Sequence, residues 1–305
     1  KTGRAGRITF TRPKALNALS HDMALAIHRA LDGWRDDSDV ALVIIDAEGD
    51  RAFCAGGDIA AVYHAGRAGD HAVGQDFFAD EYRMNAAIAD YEKPIVAFMQ
   101  GFVMGGGVGV GGHAGHRVVG DTTQVAMPES GIGLIPDVGG TWLLSRAPGR
   151  IGEYLGLTGA RMDAGDAIHA GFADIYLPEA EWDAAKEMLA DTGDVARLKG
   201  RPAPPSTLAD RDLSAFGGRS VEEIIASLEQ QGDEGALKPY FQLDRMIEAA
   251  FDVANRLFGL TFERVEGALL FAPAGELAHL HKLGVSPRPE LALQRPGDVG
   301  SAEAH

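Results

Sequence analysis

Two glycine clusters, each following an apolar run, constrain the fold of this chain more than any other feature. The run Val40–Ile45 precedes Gly56–Gly57, and the run Pro94–Met99 precedes Gly105–Gly107. Continuous runs rich in β-branched residues indicate strands that are buried on both faces. Glycine lets the backbone approach a ligand closely and leaves its amide unshielded. The pattern therefore predicts buried strands with backbone amides available just beyond their ends.

Strands alternate with helices along the first part of the chain, which predicts an α/β fold. Ser20 is suited to cap a helix whose apolar face includes Met23, Ile27 and Leu31. Further strands are expected at Arg7–Thr11 and Gln124–Ala126. Further helices are expected near Ile59 and over Phe77–Tyr91, Tyr154–Gly159, Ala164–Ala170, Glu181–Leu189, Val221–Leu228 and Leu243–Phe258.

The chain is expected to comprise three parts. We expect a core domain over residues 1–190 and a helical C-terminal region over 191–285, with Arg201–Pro205 as a linker. After Ser286 the sequence is rich in proline and glycine and has little periodicity, so residues 286–305 are predicted to form a mobile tail.

Charge and cysteine content exclude several classes of function. The formal net charge is −16, whereas a nucleic-acid surface needs clustered lysine and arginine. No apolar run reaches the roughly 20 residues of a membrane helix, so no membrane partner is expected. Cys54 is the only cysteine, which excludes an intrachain disulfide and a cysteine zinc site. A single cysteine and the absence of a signal-like N-terminal segment predict a cytoplasmic location.

Two carboxylates lie in an apolar, glycine-rich stretch. Glu129 and Asp137 both belong to the segment MPESGIGLIPDVGGT. Apolar surroundings raise the pKa of a carboxyl group and suit it to act as an acid or base. On this segment alone, a helix cap at Glu129 and a turn at Asp137 are an equally good interpretation.

Other candidates are weaker. An isolated glycine cluster is more often a tight turn or a close helix contact than a binding site. His113 and His116 are spaced for a metal, but no metal-binding pattern surrounds them, so no metal site is predicted. The glycine run after Met104 lacks a well-placed acidic ribose partner, which disfavours a dinucleotide loop. Cys54 is better interpreted as a small buried residue than as a nucleophile.

Five segments in succession resemble the crotonase (enoyl-CoA hydratase/isomerase) superfamily over about residues 7–229. The matching segments are RPKALNAL at Arg12–Leu19, AFCAGGDI at Ala52–Ile59, KPIVAFMQGFVMGGGVG at Lys93–Gly109, PESGIGLIPDVGGTWLL at Pro128–Leu144 and LTGARMDAGDAIHAGFAD at Leu157–Asp174. This resemblance implies a spiral of repeated ββα units with C-terminal helices that contribute to a homo-oligomer, a trimer or hexamer. From about residue 232 onward the match is lost.

The resemblance also implies an acyl-CoA partner and roles for particular residues. Gly57 and Gly106 match the positions whose backbone amides polarise the thioester carbonyl. Lys14, Ala15 and Leu16 match a segment that lies along coenzyme A. Asp58, next to the first amide, is grouped with the substrate-binding residues. No cofactor is implied, because coenzyme A is part of the substrate.

The choice of reaction depends on the carboxylates. Hydratases of this superfamily carry two catalytic glutamates; Gly109 stands at the first position and Glu129 at the second. Asp137 stands where hydratases usually have a small residue. This combination looks like the 3-hydroxyisobutyryl-CoA hydrolase branch, which implies hydrolysis of a short branched 3-hydroxyacyl-CoA thioester in valine catabolism. In that branch Glu81 matches a substrate-contacting glutamate, although a solvated helix residue is the alternative.

Two further functions stay open at this point. A hydratase or isomerase would have to work with a single carboxylate, and a non-catalytic acyl-CoA-binding protein would bind the thioester without turnover. Release of free thiol separates the hydrolase from both.

Overall fold

The computed structural model describes residues 1–231, where strands and helices alternate. The strands are Ala5–Phe10 (β1), Leu42–Ala47 (β2), Ala52–Cys54 (β3), Ile95–Met99 (β4), Phe102–Met104 (β5), His116–Val119 (β6), Gln124–Ala126 (β7) and Ile175–Tyr176 (β8). The α-helices are His21–Arg35 (α1), Ile59–Arg67 (α2), Ala72–Ala89 (α3), Gly106–Gly111 (α4), Gly140–Leu144 (α5), Ile151–Thr158 (α6), Ala164–His169 (α7), Trp182–Thr192 (α8) and Val221–Gln231 (α9).

Short 3-10 helices complete the described structure. They span Pro13–Ala15, Glu129–Ile132, Glu179–Glu181, Val195–Arg197 and Ser214–Gly217. The predicted helix at Leu243–Phe258 and the predicted tail at 286–305 lie outside the described residues.

From β2 onward, successive strands alternate between two parallel sheets. The larger sheet has the order β1-β2-β4-β6-β8, and the smaller has the order β3-β5-β7. Each pair of consecutive strands from β2 to β7 thus contributes one strand to each sheet, and every ladder is parallel. These parallel sheets, together with the helices between their strands, confirm the predicted α/β fold.

The larger sheet is buried on both faces. Alternate β2 residues point to opposite sides: Val43 and Ile45 join the core shared with the smaller sheet, while Leu42 and Ile44 join a second core. Trp182 of α8 closes the second core and packs edge-on against Phe98 at 5.3 Å between ring centroids. Burial on both faces explains the continuous apolar runs in the sequence.

Helix bounds differ modestly from the predicted ones. Ser20 caps α1 as expected, because its hydroxyl accepts a hydrogen bond from the Met23 amide at 3.3 Å. Helix α3 begins at Ala72, five residues before the predicted Phe77, because an amphipathic pattern marks only the buried part of a helix. Within residues 1–231, no helix combines the length and apolar character needed to cross a membrane.

Candidate active site

The three strands of the smaller sheet end at one edge, and each is followed by a predicted site residue. Gly57 follows β3, Gly106 follows β5 and Glu129 follows β7. Because parallel neighbours end on the same side, these residues converge although they are far apart in sequence. They border a cleft of about 520 Å³, counting the part open to solvent.

Apolar side chains and carboxylates share the lining of this cleft. The lining residues are Ala55, Gly56, Gly57, Ile59, Phe77, Phe78, Glu81, Gly105, Gly106, Pro128, Glu129, Ile132, Leu134, Asp137 and Val138. Five of the nine residues predicted to form the site therefore line this cleft. They are the four predicted catalytic residues, Gly57, Gly106, Glu129 and Asp137, and the predicted substrate-binding residue Glu81.

The amides of Gly57 and Gly106 lie close together. A Cβ atom placed on Gly106 would be 3.1 Å from the Gly57 nitrogen and 2.7 Å from Glu81 Oε1. Within residues 1–231, neither amide has a hydrogen-bond acceptor in the protein. Flanking bonds fix the first of them, since the Leu19 amide donates to Gly56 O and the Asp58 amide donates to Leu19 O, both at 2.8 Å. Two free donors converging in this way can polarise one carbonyl oxygen.

Two glutamates are buried beside these amides. Glu81, on α3, is 2% exposed, and Glu129, on the 3-10 helix after β7, is 6% exposed. Glu129 Oε1 lies 2.6 Å from where a Cβ on Gly105 would be, so the carboxyl group faces the glycine turn. Glu81 Oε1 and Glu129 Oε2 are buried and have no hydrogen-bond partner in the described part of the chain.

Burial shifts the acidity of both glutamates. Burial, together with the negative charges of Asp137 and Glu129, raises the pKa of Glu81 to about 8. Burial, with a smaller contribution from Asp137, raises the pKa of Glu129 to about 7. Two carboxyl groups that titrate near neutral pH suit acid–base chemistry.

Asp137 is held in place by one hydrogen bond from α3 and by the turn that follows it. The Tyr82 hydroxyl donates to Asp137 Oδ2 at 2.8 Å, which opposes the rise that burial causes in the pKa of Asp137. The next residue, Val138, has a φ of +47°, a strained conformation for a β-branched side chain. His113 Nε2 bonds the Val138 carbonyl oxygen at 2.7 Å and helps to maintain it.

Position 109 has no room for a carboxylate. A Cβ atom on Gly109 would meet Val138 Cβ at 2.8 Å and the Asn85 Oδ1 atom at 2.9 Å. Any larger side chain would therefore displace α3 or the strained turn. The chain thus lacks the first hydratase glutamate, and Val138 and Asn85 fill the space that its side chain would need.

The predicted coenzyme A segment lies outside the cleft lining. Lys14 and Ala15 are exposed on the 3-10 helix Pro13–Ala15, and Leu16 follows in a left-handed conformation. The Leu16 carbonyl accepts a bond from the Ala55 amide at 3.1 Å, which joins this segment to the glycine turn.

Asp58 also lies outside the lining. Its carboxylate accepts a bond from Arg12 Nη2 at 3.0 Å and does not cap α2. Arg12 Nη1 also donates to the Ala18 carbonyl at 2.7 Å. The pair therefore fixes the start of α2 against the segment before α1.

Sequence reasoning missed Tyr82, Asn85 and Val138. The spacing Glu81, Asn85 on one helical face was a usable signal, whereas the turn at Val138 and the contact of Tyr82 with Asp137 depend on long-range packing. Cys54 is a buried residue, as predicted, and is poorly suited to act as a nucleophile, because complete burial raises the pKa of its thiol to about 12.

Known proteins with similar sequences carry names of two kinds. The chain is 44% identical to "3-hydroxyisobutyryl-CoA hydrolase, mitochondrial" of Xenopus tropicalis, over 84% of this chain and 70% of that protein. It is 54% identical to an enoyl-CoA hydratase from Rhodobacter sphaeroides 2.4.1 of known crystal structure, with a TM-score of 0.76 over 84% of this chain and 77% of that one. A carnitinyl-CoA dehydratase from Mycobacterium thermoresistibile is 42% identical, with a TM-score of 0.74 over 82% of this chain and 78% of that one.

The predicted cytoplasmic location is wrong. The Xenopus tropicalis relative and further vertebrate relatives carry "mitochondrial" in their names, which points to mitochondria instead. A single cysteine shows only that the chain forms no intrachain disulfide, which does not identify a compartment.

The family assignment rests on the length of the match as well as on the fold. The enoyl-CoA hydratase/isomerase family matches residues 5–259, which include every predicted site residue. The two solved structures above share both fold and extensive sequence identity with this chain. The chain therefore belongs to the enoyl-CoA hydratase/isomerase family, the crotonase superfamily, as its five motifs predict.

Proposed function

We propose that this chain hydrolyses 3-hydroxyisobutyryl-CoA to 3-hydroxyisobutyrate and coenzyme A, a step of valine catabolism. The observation that carries the proposal is the arrangement of Glu129 and Asp137 around two acceptor-free glycine amides, together with the filled space at Gly109. Relatives that are 38–44% identical and named after this hydrolase support the choice of substrate.

The glycine amides of the site act on the thioester carbonyl. The N–H groups of Gly57 and Gly106 donate to the carbonyl oxygen and stabilise the negative charge that develops on it. Loss of one such donor in other enzymes costs about 2.7–4 kcal/mol of transition-state stabilisation. The oxyanion hole formed by these two N–H groups is therefore expected to contribute as much to the rate as a carboxylate.

Glu129 acts in its ionised form. In the direct route it takes a proton from water, the water oxygen bonds to the thioester carbon, and the carbon–sulfur bond breaks. In the anhydride route its carboxylate attacks that carbon and expels the thiolate, and water then cleaves the mixed anhydride. In the direct route Glu129 passes its proton to the thiolate; in the anhydride route the thiolate takes a proton from solvent, and the water that cleaves the anhydride releases one in return. In both routes Asp137 orients the water or the leaving thiol.

The remaining predicted residues bind the two ends of the substrate. Glu81 binds the acyl hydroxyl, and the apolar side chains Phe77 and Leu134 contact the branched acyl chain. Lys14, Ala15 and Leu16 lie along coenzyme A. Asp58 contributes through its ion pair with Arg12, which holds this segment beside Gly57.

Assembly into a trimer or hexamer stays a prediction, and so does the division at about residue 190. Light scattering of the full chain tests the first, and limited proteolysis tests the second.

A hydratase is the second candidate, because two similar solved structures bear the titles enoyl-CoA hydratase and carnitinyl-CoA dehydratase. The filled space at Gly109 weighs against it, since addition of water across a double bond in this family uses a glutamate at that position.

One assay separates the two candidates. Free-thiol release from 3-hydroxyisobutyryl-CoA is measured beside loss of the enoyl absorbance of crotonyl-CoA, with the same purified full chain. We expect thiol release to dominate. Hydration of crotonyl-CoA without thiol release from either substrate would overturn the hydrolase, and silence on both would favour a binding protein.

A further inference from the structure

Asn85 is a buried polar residue that the mechanism above does not use. It is 5% exposed, and neither its Oδ1 nor its Nδ2 atom has a hydrogen-bond partner among the described residues. A buried carboxamide without partners is strongly disfavoured, so such a group in a native protein calls for an explanation. An ordered water molecule is the usual one.

The position of Asn85 relates it to Glu81. The two residues are four apart on α3, so their side chains lie on the same face of the helix. Both are buried, and both carry a polar atom without a protein partner. One group placed between Glu81 Oε1 and the Asn85 carboxamide could therefore bond both residues.

Helix α4 provides the space that both side chains occupy. Glu81 Oε1 lies 2.7 Å from where a Cβ on Gly106 would be, and Asn85 Oδ1 lies 2.9 Å from where a Cβ on Gly109 would be. Gly106 and Gly109 are three residues apart on one helix, so these two Cβ positions are about 5–6 Å apart. The Glu81 and Asn85 side chains thus lie about one helical turn apart against the same helix, a separation that one water can span with two bonds of about 2.8 Å.

We propose that Asn85 is a positioning residue that holds the Glu81 carboxyl group, through one water molecule, against Gly106 and the amide pair. Asn85 is absent from the cleft lining, so it acts on Glu81 and does not touch the substrate. The proposal rests on the proposed function only where it concerns turnover.

The direct test is a titration of Glu81 in the full-length protein. Carbon-13 NMR of protein labelled at glutamate gives its pKa, and Glu81→Gln identifies the signal by its loss. In Asn85→Leu the bridging partner of the charged form is lost, so the pKa of Glu81 should rise by about half a unit or more. The titratable groups that face Glu81 are Glu129, Asp137, Tyr82 and Cys54, and all four are unchanged in this variant.

Met84→Leu is the matched control, because Met84 is a fully buried neighbour on α3 whose replacement keeps every polar group. It should leave the pKa of Glu81 unchanged. If Asn85→Leu does not fold, Asn85→Met removes the carboxamide with a more adaptable side chain. A smaller rise than about half a unit, or a fall, would overturn the proposal.

Turnover gives a second readout. With the hydrolase active, Asn85→Leu should lower kcat about tenfold and leave KM within about twofold, and an unchanged kcat would also overturn the positioning role. A wild-type protein that releases no thiol would remove the proposed function, whereas the titration of Glu81 would still decide the role of Asn85.

Discussion

The two walls of the cleft are built on different physical grounds. The glycine wall, Gly56–Gly57 and Gly105–Gly106, is backbone fixed at the ends of neighbouring strands. The carboxylate wall, Glu81, Glu129 and Asp137, consists of side chains from three separate segments. Within residues 1–231 the Gly57 and Gly106 amides have no acceptor, and Glu81 Oε1 and Glu129 Oε2 are buried without partners, whereas Asp137 accepts a bond from Tyr82.

The two walls therefore differ in how they respond to pH. The glycine wall depends on the absence of Cβ atoms and is fixed by strand pairing and flanking hydrogen bonds, and its N–H donors do not titrate. The carboxylate wall depends on burial and mutual repulsion, which raise the pKa values of its members and lower the stability of the folded state at high pH. Substitutions in the two walls should therefore differ in their pH signatures.

The largest effect is expected at Glu129. Glu129→Gln removes the base or nucleophile and keeps the shape of the side chain, so kcat for thiol release should fall by about 10²–10⁴-fold. Glu229→Gln, an exposed change on α9, is the matched control and should behave like wild type. A fall of less than about tenfold would mean that Glu129 is not at the reacting centre.

The glycine wall should show a comparable loss of rate. In Gly106→Ala the new methyl would lie 3.1 Å from the Gly57 nitrogen and clash with Glu81, so kcat should fall by about 10²–10³-fold. Gly33→Ala, where the methyl meets open space, is the control. If the pH profile of Gly106→Ala moved while its rate stayed near wild type, the two walls would not be independent.

Tyr82 should have a smaller effect through Asp137. Tyr82→Phe removes the 2.8 Å bond to Asp137, so the pKa of Asp137 should rise and kcat should fall by about threefold to tenfold. Tyr176→Phe removes a similar bond to Asp121 away from the cleft and serves as the control. Equal values of kcat for the two variants would show that Tyr82 does not contribute to the reaction.

Stability should report the smallest but most general effect. The folded-state pKa of Glu81 is about 8, above the ordinary value of 4.5, so its contribution to stability is present below about pH 4.5 and is lost as the pH rises through 8. Glu81→Gln stays neutral, so its Tm advantage over wild type should grow by about 2 °C or more from pH 5 to pH 9. A constant difference across that range would show that Glu81 is not held in its neutral form.

Sequence alone predicted the glycine wall better than the carboxylate wall. The glycine clusters alone fitted tight turns as well as a binding site, and the resemblance carried by the five motifs identified Gly57 and Gly106 as the two amides. Glu129 and Asp137 could be named, but their pKa values arise from burial that no local pattern encodes. The left-handed Val138 and the unsatisfied Asn85 result from packing between α3, α4 and the turn after Pro136, which the sequence does not display.

The measurement that tests the central claim most directly is the pH dependence of kcat/KM for thiol release from 3-hydroxyisobutyryl-CoA. With Glu129 acting ionised and Glu81 binding the acyl hydroxyl in its neutral form, the profile should rise through about pH 7 and fall above about pH 8. A profile that is flat from pH 5.5 to 9, an interval chosen to bracket both pKa values by roughly one unit or more, would contradict the assigned roles of both carboxyl groups.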